Sequence, residues 1–235
     1  MTDLLQGFLS GSAAWGVLLT LAAFALGTLL NKATGKAIFN PLLLGSIFVI
    51  ILLSVLNIPY ADYKVSAAPV NYLLLPATIS LAIPLYEKWD LLKENAAVII
   101  AGISVGTLVS LGSALALALA LDLTREQYAT LLPKSVTTAI SMDVAAELGG
   151  IAALTGAIVI LTGIAGNLLA EVVCKIFHIT DPIAKGVGIG TSAHAVGTSK
   201  ALQMGEVEGA MSGLSIAVAG VLTAVLCPFF VSFIQ

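Results

Sequence analysis

The sequence predicts an all-α polytopic membrane protein made of two structural repeats. About six to eight crossings and two or more broken or re-entrant helices are expected. Three observations carry this. Only 10% of the 235 residues are charged and 59% are hydrophobic, giving a mean hydropathy of +1.06. A soluble domain carries about 25% charge, and a 24 kDa globule cannot hide this much apolar surface. Charge is absent from 4–31, 37–61, 65–86, 95–121, 148–170 and 209–235, each at least 22 residues long, and a spanning helix needs about 20. The third observation is the layout of the two halves, which follows from the elements.

The same composition excludes other classes. No alternating pattern of period two occurs, so an outer-membrane barrel fails. Net charge is −3 with no basic run, so nucleic acid is not an expected partner. Cys174 and Cys227 lie in apolar context without metal-ligand spacing and read as buried small hydrophobes. No Walker-type glycine-rich motif and no HExxH occurs, so no cofactor or metal is expected. The opening MTDLLQGFLSGS lacks a basic flank, so the first apolar segment reads as a retained helix.

Segment one covers about 14–30, followed by a short basic turn with Lys32 and Lys36. Segment two covers 41–56, and a polar loop with two prolines covers 57–69. Segment three, 70–86, carries Pro76 and Pro84, which break helices. A charged loop at 87–94 leads to segment four, 95–121, long and clean, whose Gly102-x-x-x-Gly106 suits close helix packing. Segment five, 128–148, holds Lys134, Asp143 and Glu147; segment six covers 149–177. A loop at 181–185 precedes segment seven, 186–202, rich in Gly, Ser and Thr, and segment eight covers 208–233.

The halves are alike in layout. Each has two apolar segments, a Pro- or Gly-broken segment, an acidic turn and a clean helix. An offset of about 115 lays 75–86 on 190–201. Repeat one then covers about 10–121 and repeat two about 128–235 of one membrane domain, 1–235. Interrupted segments at matching positions of two halves are the pattern of transporters with internal repeats. Lys32 and Lys36 put their turn in the cytoplasm and the N-terminus outside. Whether segments three and seven cross or fold back stays open on charge alone; three crossings per half would make the repeats inverted.

Chemistry concentrates in three places. In Leu132-Pro133-Lys134-Ser135-Val136-Thr137-Thr138, proline suits a first helical turn and the hydroxyl residues suit caps. This reads as a helix N-terminus within an apolar region, where Lys134, Ser135, Thr137 and Thr138 offer an anion site. The alternatives are a lysine that snorkels to the interface or one paired with Asp143 or Glu147. Those acids share a helix face; Asp143, the deeper, is the candidate for a coupling ion, against both being wet at a helix end. In segment seven three glycines and Thr191, Ser192, His194 and Thr198 offer a second helix start around 191–192 and a substrate contact at His194. The bland reading is a histidine that bridges two helices, and Lys200 reads as interfacial. In segment three Thr78 can complement the site, although a hydroxyl bonding its own helix is the commoner fate. No enzyme is expected: nothing in their spacing places Ser192, His194 and Asp143 together as a hydrolytic triad.

At these motifs the sequence resembles the LrgB/CidB family of membrane proteins. The matching stretches are LLPATISLAIPLY (74–86), LLPKSVTTAISM (131–142), GGIAALTGAIVILTGIAGNLL (149–169) and DPIAKGVGIGTSAHAVGTSKALQMGEVEGAMS (181–212), within a likeness over about 10–235. The chain departs from the family's usual pattern at Ala139, Leu75 and Ser192-Ala193-His194, which bears on the local shape of the site. The resemblance implies two functions. One is transport of small monocarboxylates across the inner membrane, as in plastid glycolate/glycerate carriers and bacterial pyruvate uptake. The other is an antiholin-like regulator of murein hydrolase export and cell lysis. It also implies a smaller LrgA-type membrane partner. The broken segments favour the carrier, because a buried anion must be met by donors and positive charge. Lys134, Ser135, Thr137 and Thr138 would then hold the carboxylate. Thr191, Ser192, His194 and Thr198 would hold an α-oxygen or relay a proton. A homodimer fits this architecture, with small-residue faces at Gly102, Gly106 and Gly166.

Overall fold

The computed structural model describes residues 14–34, 39–80 and 82–234. Lys36, the first 13 residues and the side chains of Leu75, Thr78 and Pro84 lie outside what is described. The described residues form helices joined by short turns, with no strand among them. Two compact units divide between Ser80 and Ala82, inside the first expected repeat.

The first unit starts with α1 (Trp15–Thr34) and α2 (Pro41–Val55). The Asn40 side chain accepts from the Leu42 and Leu43 N–H groups and Pro41 takes the first helical position, which fixes where α2 begins. A Cβ at Gly27 would meet the Pro41 carbonyl at 2.8 Å, and one at Gly45 the Ala23 carbonyl at 3.5 Å. The two helices therefore run antiparallel at backbone contact, as small residues allow in lipid. The stretch expected as a loop at 57–69 is mostly helix: α3 (Tyr60–Ser66) and the start of α4 (Ala68–Tyr72). Tyr63 anchors α3, its hydroxyl 2.8 Å from Thr20 Oγ1 and its ring 5.9 Å from that of Trp15. Helix α5 (Leu74–Ser80) ends the unit.

The second unit holds α6 (Ala82–Glu87), α7 (Trp89–Ala120), α8 (Arg125–Leu131), α9 (Thr138–Glu147), α10 (Ala152–Ile176), α11 (Pro182–Met204) and α12 (Glu206–Val231). By length and composition α1, α7, α10 and α12 can cross a membrane. Helix α7 buries Ile99, Ile103, Thr107, Leu111, Ala114 and Ala118, a stripe at spacings of three and four. Its first part packs with Val136, Val187 and Met211, its second with Tyr128, Leu132 and Cys227.

Two segments fold back. Segment five breaks between α8 and α9 at the Pro133 motif, but α9 starts only at Thr138, so Pro133 and Lys134 lie in the turn before the helix and not in its first turn as expected. Ser141 Oγ of α9 donates to the Pro133 carbonyl at 2.6 Å, Thr130 Oγ1 of α8 accepts from Ile151 N at 2.8 Å, and Thr155 Oγ1 donates to the Thr130 carbonyl at 2.9 Å. The end of α8 thus lies beside the turn that follows α9. Gly149 makes that turn at φ +85°, a conformation open to glycine. The limbs measure about 10 and 15 Å, too short for a hydrocarbon core of about 30 Å.

Segment seven folds back as well, and its break sits at His194 (φ 42°, ψ −142°) rather than at the expected 191–192. A Cβ at Gly197 would meet the Ile189 carbonyl at 3.2 Å, eight residues back, which no straight helix permits. Ser212 of α12 touches both limbs: it packs on Gly190 and its hydroxyl lies 2.7 Å from Thr198 Oγ1. The expected loop at 181–185 is the first turn of this hairpin, with Asp181 capping the Ala184 N–H at 2.8 Å.

Helix α10 orders the two hairpins. The first meets it at Ile151, Thr155 and Gly156. The second meets it at Val159 and Gly163 through His194, and at Glu171 through Lys200, 2.6 Å away. They therefore enter from opposite ends of α10, and their tips face each other along its middle. Glycines permit the approach: a Cβ at Gly190 would meet Ser212 Cα at 2.8 Å, whereas one at Gly188 meets nothing within 4 Å. Gly190→Ala is accordingly expected to destabilise the protein in detergent by about 1–3 kcal/mol. Gly188→Ala is expected to be neutral or stabilising by up to about 1 kcal/mol, from helix propensity alone. Thermal unfolding of the two variants side by side checks the pair.

Candidate functional site

A cavity of about 450 Å³ lies where the hairpin tips face each other between α7 and α10. Helix α7 supplies Gly102, Gly106, Ser110 and Ser113; α10 supplies Thr162 and Gly166; the tips supply Lys134 with Ser135 and Gly188 with Thr191 and Ser192. The glycines let neighbouring side chains approach the bare backbone here. A Cβ at Gly106 would meet Thr191 Cγ2 at 2.8 Å and one at Gly102 Val187 Cγ1 at 3.3 Å, so the Gly102/Gly106 face packs within the chain. Gly166 likewise sits against the Ala193 Cβ.

Lys134 is half-buried on the cavity wall. Its Nζ donates to Ser110 Oγ and to Ser135 Oγ, each at 3.3 Å. Ser110 Oγ donates in turn to Ser135 Oγ at 2.8 Å. Ser135 therefore accepts twice, and its own hydroxyl proton meets no acceptor among the described residues. No carboxylate pairs with Lys134 among them either; Asp143 and Glu147, the alternatives offered by the sequence, are exposed on α9. One ammonium and one hydroxyl proton are thus left to face the cavity.

Thr191 and Ser192 line the same cavity but spend their protons. Thr191 Oγ1 donates to the Val187 carbonyl and Ser192 Oγ to the Gly188 carbonyl, both at 2.7 Å. Thr162 does the same with the Ile158 carbonyl at 2.8 Å. These three present lone pairs, so they suit a donor on a guest and not an anion.

The remaining expected residues of the second unit stand away from the cavity wall. His194 is 3% exposed, and its Nε2–H donates to the Val159 carbonyl of α10 at 2.9 Å, the tautomer following from the acceptor. It bridges two helices and forms the hairpin tip, where Gly163 makes room for the ring. Thr198 Oγ1 pairs with Ser212 and donates to the His194 carbonyl at 3.0 Å. Thr137 is the residue before α9 and its side chain makes no cap; Thr138 packs towards Gly156. Thr78 lies on α5 with its side chain outside the described residues. Lys200, expected at the interface, pairs with Glu171.

Ser110 is the participant that sequence reasoning missed. The signal was available: Gly102, Gly106, Ser110 and Ser113 recur at four, four and three residues, one small polar face on an otherwise bulky helix. Asn167 was missed too. Its Nδ2 donates to the Val196 carbonyl at 2.9 Å and to Ser199 Oγ at 3.2 Å, tying the second limb of α11 to α10.

The model of the LrgB-like family matches residues 20–233. A relative from Bacillus mycoides (strain KBAB4), named antiholin-like protein LrgB, is 36% identical over 221 residues, 94% of this chain and 96% of its own. Relatives of the same name from Bacillus cereus (strain B4264) and Bacillus anthracis (strain CDC 684 / NRRL 3495) match to the same extent. No solved structure matches. The match covers the α7, hairpin and α10 residues that build the cavity, and on it the chain belongs to the LrgB-like family.

Proposed function

We propose that this chain is a secondary carrier of a small monocarboxylate of the glycolate, glycerate or pyruvate type. The observation that carries the reading is a lysine without a counter-ion in a cavity between two opposed hairpin tips. A cation held in a low-dielectric site is costly unless something anionic meets it. A carboxylate fits: Lys134 Nζ and the free Ser135 proton would receive its oxygens. An α-hydroxyl on the guest would donate to the lone pairs of Thr191 and Ser192. The like layout of the two halves under the 115-residue offset, with Pro76 and Pro84 in segment three and a break at His194 in segment seven, supports two inverted repeats. Six to eight crossings of the inner membrane, a homodimer and a membrane partner of LrgA type belong to the same proposal.

The relatives' names favour a second reading, an antiholin-like regulator of murein hydrolase export and lysis. That role asks for helix packing and a partner, and leaves an unpaired lysine in a polar cavity without a use. Uptake of labelled glycolate, glycerate and pyruvate into proteoliposomes, with and without the LrgA-type partner, separates the two. Saturable uptake is expected, and its absence in both preparations refutes the carrier.

Two variants test the site. Lys134→Ala is expected to weaken substrate half-saturation by about 30-fold or more, the loss of about 2 kcal/mol from a charged contact. Uptake undiminished in that variant would keep the carrier and refute this site. Ser110→Ala removes a neutral contact and is expected to cost about fivefold, near 1 kcal/mol.

A further inference from the structure

Four glycines line the cavity between the hairpin tips: Gly102 and Gly106 on α7, Gly166 on α10 and Gly188 on α11. Three of them serve packing. A Cβ at Gly102 would meet Val187, one at Gly106 Thr191 and one at Gly166 Ala193. Gly188 differs. A Cβ there meets nothing within 4 Å. Its backbone is helical too, since within α11 only His194 departs from helical angles. Neither contact nor conformation asks for glycine, which in a helix interior costs about 1 kcal/mol against alanine. What the missing side chain leaves is volume, and Gly188 borders the cavity.

Gly188 lies one turn before Ser192 on the same face of α11, and the Ser192 hydroxyl donates to its carbonyl at 2.7 Å. The space over Gly188 is thus about 5–6 Å from the side chain whose lone pairs suit a guest hydroxyl. A hydroxy acid held by its carboxylate at Lys134 and by its α-hydroxyl at Ser192 has one further group on its α-carbon to place. Much of the remaining lining is apolar, with Val109 from α7 and Ala165 and Leu169 from α10. Size permits more than hydrogen there. At about 30 Å³ per non-hydrogen atom, the share of a water in the liquid, glycolate needs roughly 150 Å³ and α-hydroxyisovalerate roughly 240 Å³. The cavity holds about 450 Å³.

We infer that Gly188 sets the size of the group allowed on the guest's α-carbon, and that the carrier takes α-hydroxy acids with an aliphatic branch, such as α-hydroxyisovalerate, as well as glycolate. The inference rests on the carrier reading and adds the limit of its substrate range. The role of Gly188 is steric. Bare backbone at that position accepts the branch, and each methyl group added there removes space that the branch would fill. Glycolate, with only hydrogen in place of the branch, loses less.

The test uses full-length protein in proteoliposomes, with labelled glycolate, labelled α-hydroxyisovalerate and protein-free vesicles subtracted. The readout is the ratio of the two half-saturation concentrations, branched acid over glycolate. Wild type is expected to show saturable uptake of both. The ratio is expected to rise about threefold in Gly188→Ala and about tenfold or more in Gly188→Val. Gly112→Val is the control: Gly112 of α7 also has no neighbour within 4 Å of a Cβ, but lies outside the cavity lining, and the ratio is expected to stay as in wild type. Thermal unfolding in detergent shows which variants are folded, and Gly188→Ala decides if Gly188→Val is unfolded or inactive. Wild type that carries glycolate but not the branched acid overturns the inference. An unchanged ratio in the Gly188 variants overturns it too, as does an equal rise in Gly112→Val. Wild type without glycolate uptake, with and without the LrgA-type partner, defeats the carrier reading itself, a different failure.

Discussion

A chain that reverses direction within the thickness of a bilayer exposes backbone N–H and C=O groups that lipid cannot satisfy. Each uncompensated group costs several kcal/mol. This constraint shapes the second unit. Both reversals, at 132–137 and at His194, lie where protein surrounds them. The Pro133 carbonyl receives Ser141 Oγ, and the His194 carbonyl receives Thr198 Oγ1. Proline removes one donor at the first turn outright. Helices α7, α10 and α12 then serve as the walls within which two broken segments are tolerated.

Walls that close need small residues. Water does not drive helices together in lipid, so close packing and polar contacts must. The contacts at Gly106, Gly156, Gly163, Gly166, Gly186 and Gly190 are those at which a methyl group would strike a neighbouring element. They let a neighbouring element close on bare backbone along both hairpins, with side chains at Gly106, Gly156, Gly163 and Gly166 and with backbone at Gly186 and Gly190. Where the series stops, at Gly188, space remains, and that glycine lines the cavity. Cavity and packing thus come from one composition: glycine with a neighbour makes an interface, and glycine without one makes room.

The chemistry of the cavity is asymmetric. Donors gather at one tip, in Lys134 and Ser135, and acceptors at the other, in Thr191 and Ser192. The asymmetry follows from helix geometry. A hydroxyl inside a helix gives its proton to the carbonyl four residues back, as Thr191, Ser192 and Thr162 do. A hydroxyl in a non-helical turn has no such carbonyl, and Ser135 keeps its proton. An anion and a hydroxyl on one small guest match the two ends.

Much of this was open to reading from the sequence. Charge-free stretches gave the apolar helices, since lipid admits few unpaired charges, and the Pro133 motif gave the break, since proline cannot continue a helix. The resemblance at 131–142 and 181–212 agreed with the family match. What the linear order could not supply was pairing in space. His194 looked like a ligand because of its neighbours in the chain, yet it donates to Val159, 35 positions away. Ser110 carried no sign of a partner in its own segment, yet it meets Lys134, 24 positions on. Composition and local periodicity settle which segments lipid accepts, because those depend on each residue's own solvation. Which polar groups face a cavity, and which are spent on a neighbouring helix, depends on the fold-back at two points, and only the tertiary structure decides that.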